Sequence, residues 1–405
     1  MVKVSIIMPV YNGSEYLERS ILSVINQTFK DIEIICVDDG SEDDSLEVLK
    51  GFEEKYDCIR VLTQENQGSG KARNYGMDEA KGQYIGFIDA DDEFVDKDSL
   101  EKLYNTAVKY DADIVSGNLK KLTRDRVMVD NPNCIEDNYY CFDKDCVISP
   151  EEYGVPWAFY KNLYKTSFLN DKDVRFRDLI RGQDPVFMAE ALSKVDKVYG
   201  VKTDFYAYMF PVPGKPYLKV NSSLKKLHYT KHYKDTFDIY EAAGMYKASE
   251  KYKPKLIKYF NYSMKEDDLE IFEIAMDLFG STNHYFDNFR EDFDMFKMHH
   301  MLNKLDIEDS EEYFDVVKDE LSRIDVATNT KLSDTQIRKI LVIENSSSFD
   351  DYKHNMAVRK NNSMINNNQE LERKLERAKK LNKELTSSSS WKITKPVRKF
   401  MDKLK

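Results

Sequence analysis

The chain has 405 residues, of which 41% are apolar and 33% charged, and its formal net charge is -11 at pH 7. This length allows two or three domains with a sizeable buried core, and the composition is that of a folded globular protein. The negative charge excludes a general affinity for nucleic-acid backbone, because a phosphate-tracking surface requires a surplus of Lys and Arg.

The expected compartment follows from what the chain lacks. Its first residues, MVKVSIIMPVYNGSEY, contain neither a long apolar segment nor a small-residue cleavage site, so they predict a strand and not a signal peptide. No window approaches the roughly 18 to 20 apolar residues of a membrane span. The five cysteines form no CxxC pair, which favours reduced structural thiols over a metal cluster. We therefore expect a cytoplasmic protein.

Strand and helix signals alternate along the first 120 residues. Apolar, β-rich segments such as KVSIIMPV, IEIICVD, IRVL, YIGFI and ADIVSGN are separated by segments with apolar residues at helical spacing. This alternation predicts an α/β fold with a mostly parallel central sheet flanked by helices. From about Leu224 to Asn345 the pattern turns helical, with amphipathic segments such as YFDVVKDELSRI. A helical C-terminal region is therefore expected to follow the sheet.

Three of the predicted strands are followed by polar side chains at their carboxyl ends. In sheets of this kind, ligands bind outside the carboxyl ends of the strands. We therefore expect one crevice to be lined by the following pairs: Tyr11 and Asn12, Asp38 and Asp39, and Asp89 and Asp91.

The glycine-rich stretch NQGSGKARNYG is a candidate phosphate loop that fits neither common template. A Walker A loop would need Gly where Glu65 stands and Ser or Thr where Ala72 stands, and a dinucleotide fingerprint would need Gly in place of Arg73. What remains is a flexible turn that leads into a helix with Lys71 and Arg73 near its start. Backbone amides and a guanidinium suit a diphosphate or the polar edge of a base, and Lys71 suits a solvated surface equally well.

Asp89 and Asp91 form the most distinctive acidic pair. They are separated by the small Ala90 directly after an apolar strand. Helix capping, metal binding and acid–base catalysis are all open to carboxylates in such a position. Two hard oxygen ligands at this spacing suit Mg²⁺ or Mn²⁺ ions that also hold phosphate oxygens.

Two long stretches of the chain resemble a known family. VSIIMPVYNGSEYLERSILSVINQTFKDIEIICVDDGSEDDS and ENQGSGKARNYGMDEAKGQYIGFIDADDEF are similar to the nucleotide-binding half of family two glycosyltransferases, which have the GT-A fold. The similarity is nearly continuous from Val4 to about Gly117, and its motifs occur in the order and spacing of the family. The resemblance implies a nucleotide-sugar donor, most often a UDP-sugar.

The resemblance also implies roles for five side chains. Tyr11 would pack on the nucleotide base, and Asp39 would recognise that base. Arg73 would help to hold the nucleotide. In the DxD element, Asp89 would lie near the ribose and Asp91 would ligate Mn²⁺ or Mg²⁺.

The other acids of this region are expected to be structural. Asp92 would support the turn, and Asp96 or Asp98 would cap the next helix.

A second resemblance covers the acceptor side. VPWAFYKNLYKTSFLNDKDVRFRDLIRGQDPVFMAEAL is similar to the family segment in which an acidic pair before a helix supplies the general base. Gln183 stands where an acid is usual, which puts the role of that position in doubt and leaves Asp184 as the candidate base. The alternative is that Asp184, which precedes Pro185, only caps a helix.

These residues predict an inverting, metal-dependent glycosyltransferase. It would transfer a hexosyl-type sugar from a nucleotide sugar to a hydroxyl of a glycan or lipid-linked acceptor, in surface polysaccharide or glycoconjugate synthesis. The alternative is a catalytically weak nucleotide-sugar or carbohydrate-binding protein whose helical region serves assembly.

The chain divides into four predicted parts. These are a glycosyltransferase domain at 1–220 with a nucleotide half at 1–120 and an acceptor half at 121–220, a helical domain at 221–350, a polar linker or short coiled coil at 351–387, and a basic amphipathic tail at 388–405. The 361–385 segment fits self-association through a coiled coil, and equally a solvated single helix. The tail SSSSWKITKPVRKFMDKLK fits peripheral contact with an anionic membrane at its inner face, and equally a disordered basic tail.

Overall fold

The computed structural model describes a defined part of the chain. This part comprises residues 2–122, 128–129, 141–154, 157–209, 222–265, 310–322 and 334–361, with some positions between 270 and 305. The chain divides into two compact units, Met1–Glu266 and Asp267–Lys405. Across the described ranges, no helix has the length and apolarity that crossing a bilayer requires.

The first part of the central sheet consists of four parallel strands, with β1 at their centre between β2 and β4. The strands are β1 (Val4–Val10), β2 (Ile32–Asp38), β3 (Ile59–Thr63) and β4 (Tyr84–Phe87). The helices between them are α1 (Ser14–Ile25), α2 (Ser45–Lys55) and α3 (Ser69–Asp78). Every residue of β1 and β2 is buried, because helices cover both faces of this part of the sheet.

The second part of the sheet mixes strand directions. Its elements, in chain order, are β5 (Glu93–Phe94), α4 (Ser99–Tyr110), β6 (Ile114–Leu122), β7 (Met128–Val129), β8 (Cys146–Ile148), α5 (Pro150–Tyr153), β9 (Asn162–Lys165), α6 (Thr166–Asp171), α7 (Gln183–Ser193) and β10 (Val198–Met209). The main path of the sheet is β3-β2-β1-β4-β9-β6-β10-β5. β9 lies antiparallel between β4 and β6, whereas β10 runs parallel to β6. The predicted α/β architecture is confirmed, with a parallel half joined to a mixed half.

Two long helices after the sheet belong to the first unit. They are α8 (Ser223–Ala242) and α9 (Tyr246–Lys265). α8 packs against α7, and buried residues of both long helices, Tyr240 and Ala248, join the same apolar core as the sheet. The domain boundary predicted at residue 220 remains a prediction, but these two helices pack with the α/β part.

The second unit has an apolar core of its own. Its described helices are α10 (Glu311–Ser322), α11 (Asp334–Glu344) and α12 (Phe349–Asn361). Phe314, Ile340 and Phe349 are among the buried residues that these helices contribute. The predicted helical C-terminal region is thereby confirmed, while the 361–385 coiled coil and the 388–405 tail lie outside the described residues apart from Asn361.

The cysteines differ in their state. Cys36, Cys58 and Cys146 are free thiols, as expected. Cys141 is disulfide-bonded, so the expectation of reduced thiols is wrong for this residue.

Candidate active site

The loops after β1 and β2 are tied together by hydrogen bonds. The Asn12 backbone, at a left-handed φ of 50°, donates from its N–H to Ser41 Oγ (3.1 Å), and the Asn12 side chain accepts from the Glu42 N–H (2.8 Å). The Asp39 N–H donates to the Val10 carbonyl at 2.8 Å. These bonds fix the backbone on both sides of Tyr11, whose ring is 49% exposed and faces solvent as a stacking surface would.

Asp39 is buried and already holds a loop of the protein. Its Oδ1 accepts from Gln64 Nε2 (2.7 Å) and from the Gln67 N–H (2.9 Å), and its Oδ2 accepts from the Gly68 N–H (2.8 Å). Gly68 has a φ of 90°, a conformation that favours glycine. The carboxylate therefore shapes the turn that leads into α3.

The acidic turn after β4 is anchored to β10. The Asp89 N–H donates to the Tyr206 hydroxyl oxygen (3.0 Å), and the Tyr206 hydroxyl donates to Asp92 Oδ2 (2.6 Å). Asp92 Oδ1 accepts from the Met209 N–H at 2.6 Å. Burial raises the pKa of Asp92 well above its ordinary value, and the carboxylates of Asp89 and Asp91 raise it further. These contacts agree with the structural role predicted for Asp92.

Asp91 is the most accessible acid of this turn. Its side chain is exposed, while its carbonyl accepts from Arg19 Nη2 at 3.0 Å. The protein around it removes part of its hydration, and this, with the charge of Asp89, raises the pKa of Asp91. A carboxylate destabilised in this way would gain from a nearby cation.

The chain by itself offers few ligands to such a cation. Among the described residues, no group of three or more His, Cys, Asp or Glu side chains is arranged to hold a metal ion. One or two carboxylates are what Mg²⁺-type sites need when phosphate oxygens and waters complete the coordination. The residues present therefore fit an ion that binds together with a diphosphate.

Arg73 connects the acidic turn after β4 to the first turn of α7. Its guanidinium donates from Nη2 to Asp89 Oδ1 (2.7 Å) and from Nη1 to Asp184 Oδ1 (3.3 Å). The Arg73 Cζ atom lies 4.8 Å and 5.1 Å from the ring centroids of Phe159 and Phe176. Burial lowers the pKa of Arg73, but Asp89 and Asp184 outweigh it and the net shift is upward.

Asp184 has the environment of a general base. Burial raises the pKa of its carboxyl to about 6, with Arg73 opposing this shift and Asp89 adding to it. About a third of the side chain, 31%, is still exposed to the crevice. Gly182 is the N-cap of α7, so Asp184 lies in the first turn of the helix and does not occupy the cap position. A carboxyl with a raised pKa and an open side can accept a proton near neutral pH.

The turn before Asp184 is shaped by Gly182 and Gln183. Gly182 has a φ of 86°, and a Cβ atom there would lie 2.4 Å from the His232 ring. Gln183 is 8% exposed, and its Nε2 donates to Ser69 Oγ at 2.8 Å. The first turn of α7 is thus held against both α8 and the start of α3.

The predicted cap of α4 is wrong. Asp98 precedes this helix but makes no side-chain cap hydrogen bond, and it pairs instead with Lys102 Nζ at 2.9 Å. Asp96 Oδ2 accepts from Thr203 Oγ1 (3.2 Å) and from the Asp204 N–H (3.0 Å). These bonds tie Asp96 to β10. The strand β5 pairs with β10 and ends two residues before Asp96, which brings the Asp96 carboxylate close to β10.

The structure brings three of the six predicted site residues into direct contact, namely Arg73, Asp89 and Asp184. Asp91 lies on the same turn as Asp89, and Tyr11 and Asp39 lie on the two linked loops. Sequence reasoning missed Tyr206 and Ser69. Tyr206 is 117 residues from Asp89, and nothing in its strand distinguishes it from other buried tyrosines. Ser69 stands in the glycine-rich stretch, and its partner Gln183 is 114 residues further along the chain, so no local pattern links the two.

Comparisons with known proteins agree with this geometry. Residues 5–131 match the model of "Glycosyl transferase family 2". The chain is 38% identical over 164 residues to glycosyltransferase GlyA of Streptococcus pneumoniae, which is 40% of this chain and 22% of that protein. It is 32% identical over 225 residues to a poly(ribitol-phosphate) beta-glucosyltransferase of Bacillus spizizenii, which is 53% of this chain and 33% of that protein. The chain thus spans a third or less of these two relatives.

A solved structure extends the comparison beyond the matched sequence. The crystal structure of S. aureus TarS 1-349 in complex with UDP-GlcNAc is similar with a TM-score of 0.58 at 18% identity, over 75% of this chain and 86% of that one. At this identity the likeness shows a shared fold, and it confirms the fold type that the sequence implied.

Proposed function

Since residues 5–131 of this chain belong to glycosyl transferase family 2, we propose that the protein is an inverting glycosyltransferase. It transfers a hexosyl-type sugar from a nucleotide sugar, with UDP as the carrier, to a hydroxyl of a glycan or lipid-linked acceptor. The product belongs to surface polysaccharide or glycoconjugate synthesis, a proposal that the similarity to the poly(ribitol-phosphate) beta-glucosyltransferase supports.

One observation carries this proposal. Arg73 binds Asp89 on the nucleotide side and Asp184 on the acceptor side through the two ends of one guanidinium. A displacement reaction needs a leaving group and a base on opposite sides of the reacting carbon, held in fixed relation. The shared arginine supplies a rigid connection of that kind.

Asp184 is the proposed general base. The acceptor hydroxyl loses its proton to the Asp184 carboxylate as its oxygen attacks the anomeric carbon, and the bond from that carbon to the nucleotide phosphate breaks. The pKa of Asp184, raised to about 6 by burial, leaves the group mostly ionised at neutral pH but more basic than an ordinary aspartate. A single displacement from the opposite face inverts the anomeric configuration.

The donor nucleotide is proposed to bind along the β1 and β2 ends. The exposed Tyr11 ring stacks on the base. Asp39 already accepts three hydrogen bonds from the protein, and a carboxylate has about four acceptor positions. The remaining position can accept an N–H from the base, so Asp39 both shapes the loop and reads the nucleotide.

A divalent ion, Mn²⁺ or Mg²⁺, is the proposed cofactor. Asp91 would hold it, with Asp89 close by on the same turn. When bound, such an ion stabilises the negative charge that develops on the departing diphosphate. Asp92 and Tyr206 keep the turn in place, since both are buried and hydrogen-bonded to it.

A nucleotide-sugar assay tests the proposed function. Purified protein is incubated with UDP-glucose, UDP-galactose, UDP-N-acetylglucosamine or GDP-mannose, with Mn²⁺, Mg²⁺ or a chelator, and the released nucleotide is measured. We expect metal-dependent release from a UDP-sugar, and its loss in Asp184→Asn and Asp91→Asn. Asp111→Asn is the matched control, because Asp111 is a carboxylate on the surface that pairs with Lys165 at the end of α4.

The outcomes separate the candidates. Binding of a nucleotide sugar without any turnover would favour the alternative of a catalytically weak binding protein. Turnover of GDP-mannose alone would overturn the role given to Asp39, and unchanged activity in Asp184→Asn would overturn the proposed base.

The location and the remaining partners are proposed from sequence. We propose a cytoplasmic protein that contacts the inner face of the membrane through the basic tail at 388–405 and self-associates through the 361–385 segment. Sedimentation with vesicles that contain anionic lipid tests the first contact. The full chain should sediment with the vesicles, whereas a form that ends at residue 387 should stay in solution.

A further inference from the structure

We propose that Gln183 is a positioning residue, which holds the base Asp184 in place relative to the donor side through a hydrogen bond to Ser69. This inference rests on the proposed function and assigns a role to the position where the chain departs from its family. Gln183 itself touches neither substrate in this proposal.

The contact between Gln183 and Ser69 is well defined. Gln183 Nε2 lies 2.8 Å from Ser69 Oγ, and the Gln183 side chain is buried. The amide is therefore largely withdrawn from water, and Ser69 Oγ is the hydrogen-bond partner that the structure gives it.

Ser69 also contacts Arg73. Arg73 Nη1 lies 3.4 Å from Ser69 Oγ and 3.3 Å from Asp184 Oδ1. The serine oxygen thus accepts from two donors, one on α3 and one on α7. Ser69 therefore contacts both Gln183, which precedes Asp184 in the chain, and Arg73, which forms an ion pair with Asp184.

The loop directly before Ser69 is bound to Asp39, the residue proposed to recognise the nucleotide base. The residues just before it, Gln67 and Gly68, donate their N–H groups to the Asp39 carboxylate at 2.9 Å and 2.8 Å. A short path of bonds therefore runs from Asp39 through Ser69 to Gln183 and Asp184. When a nucleotide binds to Asp39 and orders its loop, the same bonds can also order the general base Asp184.

The chemistry of the path favours an amide at position 183. Ser69 Oγ accepts from Gln183 Nε2, whereas an ionised acid at position 183 could only accept the serine O–H, which would reverse the direction of this bond. An acid would also place a further negative charge next to Asp184, whose surroundings already hold Asp89 against a single Arg73. Glutamine keeps the link while adding no charge.

The test is a double-mutant cycle on the full chain. Gln183→Met keeps the size of the side chain and removes the donor, Ser69→Ala removes the acceptor, and the double variant removes both. We expect each single variant to lower kcat by about tenfold, with little change in the donor KM, and the double variant to be no worse than either one. Ser69→Thr, which keeps the hydroxyl, should recover most of the activity.

A matched control separates positioning from general loss of stability. Gln27 is also buried and hydrogen-bonded, with its Nε2 donating to the Asp96 carbonyl at 3.0 Å. Gln27→Met should lower the thermal unfolding midpoint at least as much as Gln183→Met while leaving kcat unchanged. All variants are assayed with the nucleotide sugar of the four-donor panel that the wild-type protein turns over fastest.

Three results would overturn the inference. They are an unchanged kcat in Gln183→Met, losses that multiply in the double variant, or a loss confined to the donor KM. A wild-type protein that releases nucleotide from none of the four donors would instead overturn the proposed function, so the two failures are distinguishable.

Discussion

A buried guanidinium requires partners, and Arg73 finds them at both of its terminal nitrogens. Two carboxylates bind its nitrogens, and two phenylalanine rings cover its faces. Its planar shape matters as much as its charge, because two nitrogens at a fixed separation reach Asp89 and Asp184 together. Arg73 thus holds the two acids in fixed relation, and its predicted contact with the nucleotide stays a prediction.

Replacing Arg73 by lysine should abolish most activity. An ammonium has three N–H donors but only one nitrogen, so it cannot occupy both positions from which Nη1 and Nη2 of Arg73 reach the two acids, and either Asp89 or Asp184 would lose its partner. We expect Arg73→Lys to lower kcat by about 100-fold or more. The control is Arg60→Lys, which alters a surface arginine paired with Glu33 and Glu79 and should leave kcat unchanged. An Arg73→Lys protein as active as the control would contradict the bridging role.

The pKa of Asp184 makes a second prediction, on stability. Its ordinary value is 3.8 and its value in the folded protein is about 6, so between these values the folded state binds more protons than the unfolded state. Asp184 therefore destabilises the fold progressively as pH rises through this window, and the cost persists above pH 6.

Asp184→Asn should remove that cost. We expect its thermal midpoint to exceed that of the wild type by roughly 4 °C at pH 7.5 and to match it near pH 4. Calorimetry at both pH values measures the difference, and Asp111→Asn serves as the control for the loss of a surface carboxylate. A variant less stable than the wild type at pH 7.5 would show that the pKa is not raised.

At the scale of elements, the turn between residue 179 and α7 sets the position of Asp184, the proposed base. Gly182 adopts a left-handed φ, and its missing side chain leaves room for the ring of His232 on α8. Burial lowers the pKa of His232 to about 3, so the ring is neutral and packs as an aromatic group. The long helix after the sheet is thus part of the support for Asp184.

Gly182→Ala should disturb this support. The added Cβ meets His232 and strains the backbone, so we expect a loss of more than about 1 kcal/mol in unfolding free energy together with a lower kcat. Gly51→Ala is the matched control, because Gly51 lies within α2 with nothing within 4 Å of an added Cβ. That change should raise stability by about 0.4 to 1 kcal/mol. Equal effects of both substitutions on unfolding would refute the explanation.

At the scale of the whole molecule, the sequence predicted those features of the fold that depend on residues close together in the chain. The alternation of apolar strands and amphipathic helices predicted the parallel half. The polar strand ends predicted a crevice that includes Asp89, and the contacts of Asp89 and Asp184 with Arg73 came only with the structure. β9 could not be predicted, because its four residues NLYK carry no pattern of their own and owe their place to β4 and β6. The same holds for Tyr206 and Ser69, whose roles depend on partners far along the chain.

The two apolar cores predict how the chain can be divided. One core contains residues from Val4 to Ala248, and the other contains residues from Met298 to Tyr352. We expect residues 1–266 to fold when produced alone, since every predicted site residue and its contacts lie within them. Circular dichroism and cooperative thermal unfolding test this, and a form that ends at residue 220, without α8 and α9, should fail to fold. Aggregation of both forms would count against an independent first unit.

The order of strands in the sheet has a consequence for synthesis on the ribosome. β4 and β6 become neighbours only through β9, and Asp89 reaches its anchor Tyr206 only after 117 further residues have been made. At about 5 to 20 residues per second, the nascent chain would carry the acidic turn unanchored for roughly 6 to 23 seconds. During this interval the parallel part of the sheet is incomplete, because β4 still lacks its neighbour β9. Translation stalled between β4 and β10 should therefore yield nascent chains that recruit chaperones and do not yet bind a donor.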